Sequence, residues 1–306
     1  MMKDVVGGMR EHTTAVADRG MSELRLAQLV TAGVLLFAAA VAGAQDIKDG
    51  GPYVPTPQKV VDSMLDLAGV KAGDFVIDLG SGDGRIVLTA ATRHQARGMG
   101  FDIDQELVNR ANASAKKQGV AERVRFVKQD VQVADVRQAT VLTLYLLPGM
   151  MTNLRPKLLK ELKPGVRIVS HDFDFGDWKP DRTIEVETPE KYDVAGSWTS
   201  NIHLWIVPAS VQGVWRGTGV AANAENFQLE IRQRYQRFEG KLILNGTEMS
   251  LREGQIDGPR IRFSVPRSGG NGNEQFVATV NGERMTGEIS GGGPTAVAKW
   301  AATRAP

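Results

Sequence analysis

The 306-residue chain contains no cysteine, which excludes disulfides, iron–sulfur clusters, thiolate metal sites and cysteine nucleophiles together. Neither sign of charge is in excess, with 37 Lys and Arg against 35 Asp and Glu. No segment is strongly polarised, so nucleic acid, which needs a surplus of basic side chains to neutralise phosphates, is not an expected partner. Histidine is scarce too: His12, His94, His171 and His203 are scattered without metal-ligand spacing, and no metal is expected. The chain also lacks an apolar run of the ~20 residues that span a bilayer comfortably.

What is present is ordinary globular content, 42% hydrophobic, and enough chain for two domains. The longest uncharged apolar stretch is residues 29–44, with Arg25 before it and Ala42-Gly43-Ala44 as an A-x-A cleavage site at its end. Residues 1–45 are therefore expected to be a secretory signal peptide, with Met21 as an alternative start, and the chain to be exported to a periplasmic or extracellular space. An uncleaved membrane anchor through residues 29–44 is the competing reading. No cysteine follows the run, which argues against a lipid anchor.

Residues 50–57, G-G-P-Y-V-P-T-P, form a breaker-rich linker. Thr56 as N-cap and Pro57 at the first helical position predict a helix over 57–68. From there short apolar runs alternate with amphipathic stretches, the pattern of a parallel sheet built from βαβ units. Strands are expected at 75–79, 98–102, 124–127, 141–147 and 167–170, with helices at 84–91, 105–118 and 151–162. A terminal hairpin at 183–187 and 201–207 completes the sheet. Beyond Ala209, Gly-containing turn pairs punctuate short alternating runs, so residues 208–306 are expected to form a separate small antiparallel, barrel-like β domain. It opens at Trp215 and closes at Trp300, both assigned to its core. Substrate recognition, dimer support, a lipid-like ligand and a stabilising appendage all remain open as its role.

The strongest chemical signal is V-I-D-L-G-S-G-D-G-R, residues 76–85, at a strand-to-helix turn. Gly80, Gly82 and Gly84 let the backbone turn tightly and leave room for a ligand against the main chain. Asp78 and Asp83 decide which ligand: a diphosphate would meet two carboxylates, whereas a ligand carrying positive charge and no phosphate suits the loop. S-adenosylmethionine, with its sulfonium and ammonium groups, is such a ligand.

D-L-G-S-G-D-G resembles the first motif of class I S-adenosylmethionine-dependent methyltransferases, and the resemblance runs over residues 53–207. It implies a Rossmann-like α/β sheet for 46–207 and S-adenosylmethionine as cofactor, held around Asp78, Gly80, Ser81, Gly82, Asp83 and Gly84. In G-F-D-I-D, Asp102 follows Asp78 by 24 residues and by resemblance binds the ribose hydroxyls, since one carboxylate can accept from both. Asp104 is expected to cap the next helix. Asp130, with Val131 beside it, occupies the position of the acid that contacts the adenine amino group. The flanking P-Y-V-P-T-P, L-P-G-M-M and F-G-D-W-K-P-D narrow the resemblance to the protein-lysine methyltransferases acting on the ATP synthase c subunit and the adenine nucleotide translocase. By that resemblance Tyr53 and Thr56 fold over the cofactor. A protein lysine is then the expected methyl acceptor, with a small-molecule acceptor or a non-catalytic envelope binding module as alternatives.

Ligands in open α/β sheets bind at the carboxyl ends of the strands. That places Tyr145, Pro148, His171, Asp172 and Asp174 near the acceptor. Tyr145, His171 and Asp172 are the catalytic candidates, although adjacent strand residues such as His171 and Asp172 are expected on opposite faces. Trp178 either covers the substrate or plugs the end of the sheet.

Overall fold

The computed structural model describes residues 53–191, 196–220, 225–267, 272–291 and 297–306. The signal or anchor expected at 1–45 lies outside the described residues, among which no helix is long and apolar enough to cross a membrane.

Helix α1 (Gln58–Leu67) precedes β1 (Phe75–Leu79), α2 (Arg85–Arg93), β2 (Arg97–Asp102), α3 (Gln105–Lys117), β3 (Val124–Lys128), β4 (Val141–Leu144), α4 (Pro148–Glu161), β5 (Arg167–His171), β6 (Arg182–Glu187) and β7 (Thr199–Ile206). The strands form one sheet in the order β3-β2-β1-β4-β5-β7-β6. Strands β1 to β5 pair in parallel, and β7 runs antiparallel between β5 and β6. Alternation along β1 serves both faces: Val76 meets α1 and α2, while Ile77 and Leu79 meet the α4 side. The order reverses direction at β1 and β4, and the loops that leave those two strands flank one crevice.

Element bounds follow the expected ones closely except at the carboxyl edge. β4 stops at Leu144 rather than 147, and α4 begins at Pro148 rather than 151, because proline takes the first helical turn and Leu147 the cap position. The expected cap at Thr56 is not made either. Pro57 occupies the cap position without a side-chain bond, and Thr56 is buried instead.

The remaining strands are β8 (Gly213–Val220), β9 (Glu225–Arg234), β10 (Arg237–Leu244), β11 (Thr247–Ser250), β12 (Arg252–Asp257), β13 (Arg260–Pro266), β14 (Asn273–Asn281), β15 (Arg284–Ser290) and β16 (Ala298–Arg304). They pair antiparallel, and the β9–β10 pairing closes eight of them into a barrel, with β11 attached to β10 outside the ring. Closure removes the open edges that an antiparallel sheet would otherwise expose. Trp215, Phe227, Phe238, Phe263, Phe276 and Trp300 fill the interior; Phe263 stacks on Phe276 at 4.7 Å.

Closure also demands glycine where two strands approach too closely for a side chain. At Gly240, φ is +156° and an added Cβ would lie 1.9 Å from the Glu230 carbonyl oxygen, on the strand that closes the ring. Gly240→Ala is therefore expected to destabilise the protein by about 3 kcal/mol. Urea unfolding of the variant against the parent measures it, and an unchanged midpoint would show that the ring tolerates the separation.

Candidate active site

The loop between β1 and α2 is built by backbone bonds to the neighbouring strand. Gly80 N–H and Ser81 N–H both donate to the Phe101 carbonyl at 2.9 Å, which ties the loop to the end of β2. Gly80, Gly82 and Gly84 all have positive φ, at 80°, 53° and 82°. At Gly84 a Cβ would also meet the Phe126 ring at 2.5 Å, so helix α2 can start close to the sheet only from glycine. The Ser81 side chain turns down toward the sheet against Gly100, leaving only its backbone toward the crevice.

Three acids surround this loop in three different states. Asp102, at the end of β2, accepts Gly82 N–H at 2.7 Å on one oxygen and Asp104 N–H at 2.9 Å on the other, fixing both the loop and its own orientation. Asp104 caps α3 as expected, accepting Glu106 N–H at 2.8 Å. Asp83 accepts Arg85 Nε at 2.9 Å, Arg85 Nη2 at 2.7 Å and the Arg85 backbone N–H at 3.2 Å. Burial would raise its carboxyl, but the Arg85 guanidinium outweighs that and holds it below the ordinary range. Asp83 therefore meets the loop as an ion pair with Arg85. Asp78 is placed differently. It is only 2% exposed and accepts the Thr143 hydroxyl at 2.7 Å. Burial, reinforced by the charges of Asp102 and Asp83, pushes it up to about 7.

Tyr53 and Thr56 lie across the loop. The Tyr53 ring occupies the space above Gly82, where a Cβ would come within 2.5 Å of it. The Thr56 carbonyl accepts Arg85 Nη1 at 2.8 Å, and its hydroxyl lies 3.5 Å from His171 Nδ1. The linker thus spans from the β1 loop to the end of β5. On the other side, exposed Asp130 accepts Gln132 N–H at 2.8 Å beside buried Val131.

The acceptor-side candidates converge at the ends of β4 and β5. The rings of Tyr145 and His171 lie 4.0 Å apart, and Phe173 stacks on Tyr145 at 6.1 Å. Asp172 has φ +61°, so the chain turns back on itself after β5 and brings the Asp172 carboxylate 3.4 Å from His171 Nε2. The expectation that these neighbours point to opposite faces is thereby overturned; it assumed that the strand continued through Asp172. His171 is 1% exposed, with Ser200 Oγ at 2.9 Å from Nε2. Burial holds its imidazole down to about 4 against the pull of Asp172, so the ring is neutral near pH 7. Burial, with the Asp172 charge, pushes the Tyr145 hydroxyl up to about 12, which keeps it protonated. Asp174 turns away to accept Gly176 N–H, and Pro148 starts α4.

The described residues from 78 to 182 match the model of the ANTKMT methyltransferase domain. A protein-lysine N-methyltransferase of Saccharolobus islandicus is 42% identical over 157 residues, covering 51% of this chain and 93% of that protein. The chain belongs to the protein-lysine N-methyltransferase family. The adenine nucleotide translocase lysine N-methyltransferase of mouse is 34% identical over 48% of this chain, which spans 64% of that protein. A solved RNA methyltransferase of Salinibacter ruber, in complex with S-adenosylhomocysteine, is 48% identical over 52% of this chain and 96% of that one, with a TM-score of 0.47.

The methyl donor that the glycine-loop motif implies is S-adenosylmethionine. The loop fits it: Asp78 offers a buried carboxyl to a cation, and positive φ at all three glycines sets the tight turn. The sequence reading missed Lys191, whose Nζ donates to Asp172 Oδ2 at 2.6 Å, to the Thr199 carbonyl at 3.1 Å and to Ser200 Oγ at 3.2 Å. Nothing in K-Y-D signals that contact, because it depends on the backbone reversal at Asp172. Arg85, the partner of both Asp83 and Thr56, was visible only as the last letter of the glycine motif.

Proposed function

We propose that this methyltransferase transfers a methyl group from S-adenosylmethionine to the ε-amine of a lysine in a protein. The observation that carries the reading is the 42% identity over nearly the whole of the archaeal protein-lysine N-methyltransferase. The loop geometry supports it. Asp102 and the Gly80–Gly84 backbone would hold the cofactor, Asp78 would face its positive charge, and Tyr53 would close over it. Bound there, S-adenosylmethionine supplies an electrophilic methyl on its sulfonium.

A lysine must lose its proton before it can accept. From a reference pKa of ~10.4, deprotonation at pH 7 costs about 4.6 kcal/mol. Tyr145 keeps its own proton, and His171 is sealed behind Thr56, Ser200 and Tyr145, so neither is positioned as a direct base. What the Tyr145, Phe173 and His171 group offers is a dry, aromatic-walled approach that disfavours the charged ammonium.

The test is to incubate the full chain with methyl-labelled S-adenosylmethionine and an extract containing membrane and soluble proteins together with RNA. Mass spectrometry should find mono- to trimethylated lysine, absent with Asp102→Ala. Label found in RNA or small molecules, and not in lysine, would overturn the reading. We further propose that residues 29–44 act as a signal that exports the domain, or, as the alternative, as an anchor that holds it at a membrane; fractionation of the full chain into soluble exported and membrane material distinguishes the two.

A further inference from the structure

The barrel meets the α/β part at the β12–β13 turn, where Gly258 lies against Gly165, and at the tip of the β9–β10 hairpin. Tyr235 and Gln236 form the connection between β9 and β10, where Arg234 and Arg237 are directly paired. Two-residue hairpin loops favour Asn or Gly because they require positive φ. Here the residue at φ +54° is a tyrosine, a bulky side chain in a region that costs it conformational energy. Its presence there calls for a contact that repays the strain.

That contact is with the loop that leaves β5. The Tyr235 ring stacks on Trp178 at 5.9 Å, and Trp178 is completely buried. Gln236 accepts Trp178 Nε1–H at 2.9 Å and donates to Asp181 Oδ2 at 3.1 Å. Arg234 pairs with Asp177 at 3.6 Å. The second half of the loop is thus held from residue 177 to residue 181, and Trp205 of β7 secures it from below by donating to the Trp178 carbonyl at 2.9 Å. The Trp178 alternatives resolve the same way: it is a plug in the fold, and its partner is the barrel.

The hairpin also holds the segment that leaves β4. Arg155 of α4 lies over the Tyr235 ring at 5.8 Å, donates to the Phe175 carbonyl at 2.6 Å and pairs with Asp177. Both walls of the acceptor approach therefore meet at one point. One wall is α4, which follows Tyr145. The other is the 172–181 loop, which begins at Asp172 and places Phe173 against Tyr145. The contacts of Tyr235 and Gln236 fall on Trp178, Asp181 and Arg155, on the acceptor side of the sheet.

We propose that the β9–β10 hairpin is a positioning element for the acceptor half of the site, with Tyr235 and Gln236 as the positioning residues. The barrel sets the relative placement of α4 and the 172–181 loop and thereby the width of the acceptor approach. As an account of catalysis this rests on the methyl-transfer reading above; as an account of loop order it does not.

The experiment uses the full chain with Gln236→Ala and, separately, Tyr235→Asn. Asparagine suits the turn, so the second variant removes the ring while keeping the hairpin. Hydrogen exchange of peptides covering 172–181 and 148–158, calorimetric titration with S-adenosylhomocysteine, and methyl transfer to poly-lysine are measured together. Expected are exchange at least about tenfold faster in 172–181, a cofactor Kd within about twofold of the parent, and an acceptor KM raised at least about fivefold. Unchanged exchange in 172–181, or cofactor affinity lost in step with acceptor kinetics, would overturn the proposal. A parent chain that binds S-adenosylhomocysteine yet transfers nothing to lysine would count against the lysine acceptor, while the exchange measurement still decides whether the hairpin orders the loop.

Discussion

Asp102→Ala is expected to weaken S-adenosylmethionine binding by at least about 100-fold, which is about 2.7 kcal/mol. Two effects add in the same direction. The variant removes the carboxylate that, on the proposed reading, would accept from the ribose hydroxyls, and hydrogen bonds to charged groups contribute about 1.5–3 kcal/mol each. It also frees Gly82 N–H and Asp104 N–H, the two backbone donors that the carboxylate holds at 2.7 and 2.9 Å, and so loosens the loop itself. Asp102→Asn keeps the shape and one acceptor oxygen and should fall between parent and alanine. Calorimetric titration of the folded variants reads the effect; tight binding by Asp102→Ala would take Asp102 out of the site.

Asp78→Asn is expected to trade cofactor affinity for stability. In the folded free protein the Asp78 carboxyl is raised from 3.8 to about 7. Between those values the native state holds a proton that the unfolded chain has released, so the stability of the parent falls as pH rises from about 4 to about 7. An asparagine removes that dependence and keeps an oxygen for the Thr143 hydroxyl. The variant should therefore be more stable than the parent at pH 8, by on the order of 4 kcal/mol, with the two converging below about pH 4. Its binding of S-adenosylmethionine should weaken at the same time, because the buried negative charge that costs the free protein stability is what a cation would meet. Thermal unfolding across that pH range, alongside titration with the cofactor, separates the two effects. A parent whose stability does not fall between pH 4 and 7 would contradict this account of Asp78.

The parallel sheet and the cofactor loop were legible because their signals are local. A run such as F-V-I-D-L declares a buried strand by composition, and D-L-G-S-G-D-G places three glycines and two acids within one turn. The acceptor half was less legible because its geometry hangs on one backbone reversal. Without the positive φ at Asp172, His171 and Asp172 would face apart, and Lys191 would have no carboxylate to reach. Thr56 shows the opposite failure: its local sequence spells a helix cap, and a residue 115 positions away draws it inward instead. The strands of the barrel could be anticipated from its turns, but not the grip of Gln236 on Trp178, which joins residues 58 apart in sequence and leaves no periodic trace.

Lys191 gives the acceptor region a last property. Its ammonium spends its three hydrogens on Asp172, Thr199 and Ser200, within a shell that leaves its side chain only 11% exposed. Those three bonds tie together the turn after β5 and the start of β7, so Lys191 acts as a cross-brace between two strands at the same strand ends where, on the proposed reading, an acceptor lysine would arrive.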